Sequence, residues 1–273
     1  MTLHAPSYAG GFASPERGLI DRSLWDGVVG AWCPSLGATG LTVRDNSLHG
    51  NDGVVIGMTE AEAWADTPRG MTFGGSGSGD YTDVTINADL QLSGHYTVSV
   101  FITWAASTNA HAVSCYDGNG WTIFNIGTTI YFGRYGSDEG SPFVAGPTLV
   151  VGTRYHLVMT YNGTTLTAYV DGKSVGTKAL SGFTSTANNL NIGRNPNTVS
   201  QVTDGTIDSV TIWDGRALSA NEVSTFHRLG PGGMYRRQLT HNVKTPAAGR
   251  INSLVGVGGG MIGQGGGMIG RGY

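Results

Sequence analysis

Between Arg154 and Thr177 the chain carries two turn dipeptides, Asn162-Gly163 and Asp171-Gly172, set between short alternating runs. In RYHLVMTY, Tyr155, Leu157, Met159 and Tyr161 share one face, which is the period of a half-buried strand. Asn162-Gly163 then offers the two positive-φ residues that a type I′ hairpin needs, TLTAYV returns, and Asp171-Gly172 turns the chain again into KSVGT. Three antiparallel strands are thus specified by turn chemistry alone. HYTVSVFI adds another half-buried strand, with Tyr96, Val98, Val100 and Ile102 on one face and Thr97, Ser99 and Phe101 on the other.

The rest of the chain follows the same logic. VVGAWCPS reads as a first strand, RDNSLHGNDG as a loop, and NLNIG and GTIDSVTIWDG as late strands. The period then changes to that of a helix: Ser219 and Glu222 form an S-x-x-E capping box, Val223, Phe226 and Leu229 share a face, and Gly230-Pro231 stops the run. TEAEAWADTP reads as loop, with Glu60 and Glu62 as solvated charges. With 45 glycines and only 13% charged residues, the composition suits many short strands and tight turns. The expected class is all-β: a two-sheet antiparallel sandwich with one short C-terminal helix. Residues 1–23 read as an extended N-terminal arm, 24–230 as the folded domain, and 231–273 as a Gly-rich assembly tail.

Several functions are disfavoured at this stage. A formal net charge of -3, with no block of consecutive Lys or Arg before the tail, gives no reason to expect nucleic acid as a partner. No stretch reaches the length of a membrane span, and MTLHAPSYAGGFASPERG lacks the basic start and apolar run of a secretory signal, so the chain is expected to be soluble as made. Cys33 and Cys115 match no zinc or redox spacing and are expected to be isolated buried thiols. His95, His111, His156, His227 and His241 have no nucleophile signature nearby, and strand-face or surface roles are expected of them.

RYHLVMTYNGTTLTAYVDGKSV (154–175) and GTIDSVTIWDGRALSANEV (205–223), taken in order, resemble the laminin-G-like family of the concanavalin A-like lectin and glucanase superfamily. The upstream WCPSLGATGLTVRDNSLHGNDG is similar to the first strand and Asp/Asn/Gly loop of bacterial and phage members. The resemblance covers roughly residues 25–230 and implies a jelly roll whose rim loops bind ligands. It further implies a structural calcium ion held by the loop residues Asp45, Asn46, Asn51 and Asp52 together with Asp208 of the late strand. Asn, Asp and Gly also form tight turns without any metal, and both readings of the loop stand.

SCYDGNGWTIFN places Tyr116, Asp117, Asn119 and Trp121 within a few residues, after Trp104 and Asn109; these six are the candidate glycan platform. Tryptophan and tyrosine in a sandwich are also ordinary core residues. Glucanases of this superfamily carry Glu-x-Asp-x-x-Glu or a similar pattern on a strand, and none of the five glutamates here, at 16, 60, 62, 139 and 222, lies in one. The chain is therefore expected to act by binding and assembly rather than as an enzyme, with glycoside hydrolysis a minor alternative. The tandem GGGMIGQ and GGGMIGR present Met261-Ile262 and Met268-Ile269 as apolar plugs for a neighbouring subunit. The favoured reading is a virion-surface subunit, a capsid decoration or fibre-like protein, that contacts virion neighbours or itself as a homo-oligomer and displays a lectin-like domain to cell-surface glycans. The alternative is a freestanding extracellular carbohydrate-binding or adhesion module.

Overall fold

Antiparallel pairing organises nearly all of the chain that can be described. The structure, a computed structural model, describes residues 22–235 except 67–68, 93, 118, 136–142, 181–187 and 199. Its strands are β1 (Val28–Trp32), β2 (Thr42–Val43), β3 (Gly53–Ile56), β4 (Met71–Gly74), β5 (Tyr81–Val84), β6 (His95–Trp104), β7 (Ala110–Asp117), β8 (Asn119–Ile126), β9 (Thr129–Tyr135), β10 (Phe143–Thr148), β11 (Arg154–Asn162), β12 (Thr165–Val170), β13 (Lys173–Ala179), β14 (Leu190–Ile192) and β15 (Asp204–Asp214). One sheet runs β1-β15-β6-β11-β12-β13, with β4 also paired to β15. The other runs β10-β9-β8-β7-β14-β5-β3-β2. The two-sheet jelly-roll sandwich expected from the sequence is what forms.

The meander forms with one difference in its turns. Asp171 and Gly172 have φ of 51° and 77°, as a type I′ turn requires. At the first hairpin only Gly163 is positive, at 91°, and the two-residue loop is Gly163-Thr164. Asn162 stays in β11, and its Oδ1 accepts from the amides of Thr164 and Thr165 at 3.1 and 2.8 Å. The side chain makes the turn that the backbone of Asn162 does not.

The core between the sheets takes Tyr96, Val98, Val100, Ile102 and Trp104 of β6, Leu157, Met159 and Tyr161 of β11, and Trp121, Ile123, Ile130 and Phe132 of the opposite sheet. A second core lies on the other side of the seven-stranded sheet. There the helix α2 (Ala220–Leu229) sets Phe226 edge-on to Phe101, His156 and Trp213, with centroids 5.2–5.6 Å apart. Strands β6, β11 and β15 are therefore buried on both faces, whereas the sequence predicts β6 and β11 half-buried. Covering by a helix removes the solvent face that alternation implied. The Ser219–Glu222 capping box starts α2 as expected and contributes about 1 kcal/mol. Residues 59–63 depart from expectation: Thr59 caps a short helix, α1 (Glu60–Ala63), with Glu62 closing a second capping box, so Glu62 is not a free loop charge.

The second core begins where the folded domain was expected to begin and runs past its expected end. Leu24 and Trp25 belong to it, and so do Met234 and Tyr235, which lie beyond the expected end at 230. The Trp25 indole donates to the Met234 carbonyl at 3.0 Å and meets the Tyr235 ring edge-on at 5.2 Å. The chain divides into a unit of Met1–Leu239 and a second, Thr240–Tyr273. That second unit, with Met261, Ile262, Met268, Ile269 and His241, and most of the N-terminal arm lie outside the described residues. Cys33 and Cys115 are free and buried, as expected. No helix among the described residues is long and apolar enough to cross a membrane.

Candidate functional site

Where α2 stops covering the seven-stranded sheet, the uncovered sheet surface becomes the floor of a cleft of about 850 Å³. Its floor is set by an irregularity in β15: Ile207 pairs with Ile102 and Ser209 with Phe101, leaving Asp208 as an extra residue between them. Such a bulge re-aims a side chain, here onto Arg154 at the start of β11. The Arg154 Nε lies 2.5 Å from Asp208 Oδ2, with the aspartate side chain 6% exposed and the arginine 48%. Burial pushes the Asp208 carboxyl up to about 6, against the opposing pull of Arg154.

One wall comes from the segment after α1. Asp66 accepts from the Thr206 hydroxyl at 3.2 Å, and both Asp66 and Arg69 act electrostatically on Asp208. The wall lies this close because Gly70 has no side chain: a Cβ there would fall 2.4 Å from the Ile207 carbonyl oxygen. Leu36, Leu229 and Pro231 supply an apolar wall, and Tyr235 also lines the cleft, although its hydroxyl is buried and under the influence of Cys33 and Asp45. Carboxylates and guanidiniums brought close together beside an apolar wall suit a polyol, since each hydroxyl both donates and accepts while the C–H faces need apolar contact.

The residues expected to hold calcium do something else. Asp45 Oδ1 accepts from the amides of Ala31 and Ser47, and Oδ2 from the Ser47 hydroxyl and the Asn51 amide, all at 2.7–2.9 Å. Asp52 accepts from the Asp45 amide at 2.8 Å, while the Asn46 and Asn51 amides donate to the Ala31 and Val29 carbonyls. With its oxygens turned towards N–H and O–H donors, the loop is pinned by its own side chains, and Asp208 pairs with Arg154 instead of completing a ligand set. Among the described residues no group of three or more His, Cys, Asp or Glu is placed to hold a metal ion.

The two tryptophans of the expected glycan platform are not at a surface. Trp104 and Trp121 are buried in the core at 0% and 1% exposure, because each has the strand parity of the inward residues around it. Tyr116 is half-buried near the end of β7, and Asn109 caps the turn at Gly127, accepting its amide at 3.0 Å. The side chains of Asp117 and Asn119 lie outside the described residues. Arg154, Asp66, Arg69 and Thr206 are functional candidates that sequence reasoning missed; the one signal was an acid, Asp208, inside the otherwise β-like run GTIDSVTIW.

Comparison with known proteins adds the following. A laminin G family model, described as concanavalin A-like lectin/glucanases superfamily, matches residues 76–224. No curated protein sequence matches the chain. Among solved structures, a Trypanosoma rangeli sialidase in complex with a difluorinated KDN derivative superposes with a TM-score of 0.55 at 16% identity, covering 74% of this chain and 32% of the sialidase. The binding domain of Paraclostridial Mosquitocidal Protein 1 superposes with a TM-score of 0.53 at 14% identity, covering 75% and 52%. The chain thus spans about a third of the sialidase and half of the toxin domain. These neighbours correct one expectation: the chain cannot be set apart from enzymes on its architecture, because structures that share its fold include the sialidases. At these identities the likeness is one of fold.

Proposed function

This chain belongs to the concanavalin A-like lectin/glucanases superfamily, and from that premise we propose that it binds carbohydrate through the cleft over Asp208 and Arg154. The observation that carries the reading is the cleft itself, a concavity of about 850 Å³ whose floor and one wall bring Asp208, Arg154, Asp66 and Arg69 close together, facing an apolar wall. Binding to a glycan array followed by calorimetry tests this. Arg69→Ala removes an exposed cleft side chain and is expected to weaken binding about ten-fold or more while leaving the melting temperature nearly unchanged. A wild-type chain that binds no saccharide overturns the proposal.

A second reading, glycoside hydrolysis, is favoured by one feature: a carboxyl poised at about 6 in this cleft can donate a proton near neutral pH. Release of reducing ends from the same oligosaccharides, lost in Asp208→Asn, would identify it. A finer part of the proposal is a place on a virion surface, with an extracellular module as its alternative. It is supported by the doubled GGGMIG unit with its Met-Ile plugs. Truncation after Tyr235 is expected to give a folded domain that no longer assembles, and assembly that survives truncation removes the virion-subunit reading.

A further inference from the structure

We infer that the cleft selects saccharides bearing a carboxylate and that the terminal edge of Arg154 reads that group; the inference rests on the carbohydrate-binding reading above. A guanidinium presents two usable edges, and in Arg154 they are in different states. The Nε side is committed to Asp208 at 2.5 Å, on a carboxylate that is 6% exposed and seated on a strand buried from both faces. The terminal Nη1 and Nη2 make no hydrogen bond among the described residues, and the side chain is 48% exposed where it lines the cleft. The guanidinium carbon lies 5.3 Å from the Phe101 ring centroid, which supports the group from below.

An arginine held in this way is already ordered, so little side-chain entropy remains to be lost when a ligand arrives. Its free edge offers two parallel N–H donors in the spacing that a planar carboxylate accepts bidentately, whereas a sugar hydroxyl satisfies one of them at a time. Asp208 is then a positioning residue that aims the fork. The charges nearby, Asp66 and Asp208 against Arg69 and Arg154, sum to zero, which tolerates a monoanion and disfavours a phosphate dianion.

Calorimetric titration of the full chain with galacturonate oligosaccharides, with the matching neutral galactose oligomers, and with a sulfated counterpart tests the inference at one ionic strength. The uronates are expected to bind at least ten-fold tighter than the neutral oligomers. Arg154→Lys, which keeps the charge and loses the fork, should remove most of that preference. Arg154→Gln leaves a buried carboxylate unpaired, so the Arg154→Gln, Asp208→Asn double variant is measured beside it; this removes both charges and should bind uronate and neutral oligomers alike. Equal wild-type affinity for the two, a preference that survives the double variant, or preference for the sulfated ligand alone overturns the inference while leaving carbohydrate binding intact. No binding to any saccharide overturns both.

Discussion

Lowering the pH from 6 to about 4.5 is expected to destabilise the domain by about 2 kcal/mol, as the balance of three buried groups. His156 is 1% exposed, stacked between Phe101 at 3.9 Å and His227 at 5.6 Å, with Nε2 on the Ser99 hydroxyl and Nδ1 buried without a partner. Burial, then His227 and Arg154, hold it well below the ordinary imidazole range. Burial likewise lowers His111 to about 3. Both groups are depressed in the folded state, so below about 6.5 the unfolded chain binds protons that the native chain refuses, and each histidine removes about 1.4 kcal/mol per pH unit. Asp208 acts in the opposite sense. Its carboxyl is raised to about 6, so between that value and the unfolded 3.8 the native state binds more protons and gains stability as pH falls. Two losses against one gain leave a net slope of about 1.4 kcal/mol per pH unit. Urea unfolding at stepped pH checks the assignment by its variants. His156→Gln should flatten the slope, and Asp208→Asn should roughly double it; a slope unchanged in both would show that other groups carry the acid sensitivity.

Asp45→Ala is expected to destabilise the native state by about 3–5 kcal/mol, the largest loss for any single side chain in the loop between β1 and β3. The carboxylate joins the Ala31 amide of the fully buried first strand to Ser47 and Asn51, and its removal strands three backbone N–H groups, each worth about 1–3 kcal/mol when unsatisfied. Asp45→Asn keeps one acceptor oxygen and should lose less. Because both Asp45 oxygens already face N–H and O–H donors, stability is expected to be independent of calcium. Thermal melts with calcium and with chelator should coincide; a midpoint that rises with calcium in the wild type and not in Asp45→Ala would restore the ion to this loop.

Much of the fold is legible because it is encoded locally. The Asp171-Gly172 turn, the alternation in β6 and β11 and the Ser219–Glu222 box each need only a few neighbouring residues. Trp104 shares the parity of Tyr96, Val98, Val100 and Ile102, and Thr59-x-x-Glu62 is the same capping signature that starts α2, so an inward tryptophan and a short helix were both readable. The candidate site was not readable, because it joins residues 66, 69, 154 and 208, which no local period relates. Burial on both faces of β6, β11 and β15 was hidden for a similar reason: Thr97, Ser99 and His156 read as polar solvent-side positions, yet the Thr97 hydroxyl donates to the Arg216 carbonyl at 2.9 Å, and Ser99 bonds His156 beneath the helix.

Ile207 and Val210 both face the inner core although two residues separate them, so the alternation of β15 changes phase at Asp208. Which side of the sheet receives the acid is therefore decided by the number of residues in the strand as much as by their identity. Deleting one residue at this point would close the ladder into strict alternation and leave Arg154 without its carboxylate, while the strand on the C-terminal side kept its register with β1 and β6. The Asp208–Arg154 pair can thus be gained or lost through a single codon of length, a route of divergence that leaves the composition of the core untouched.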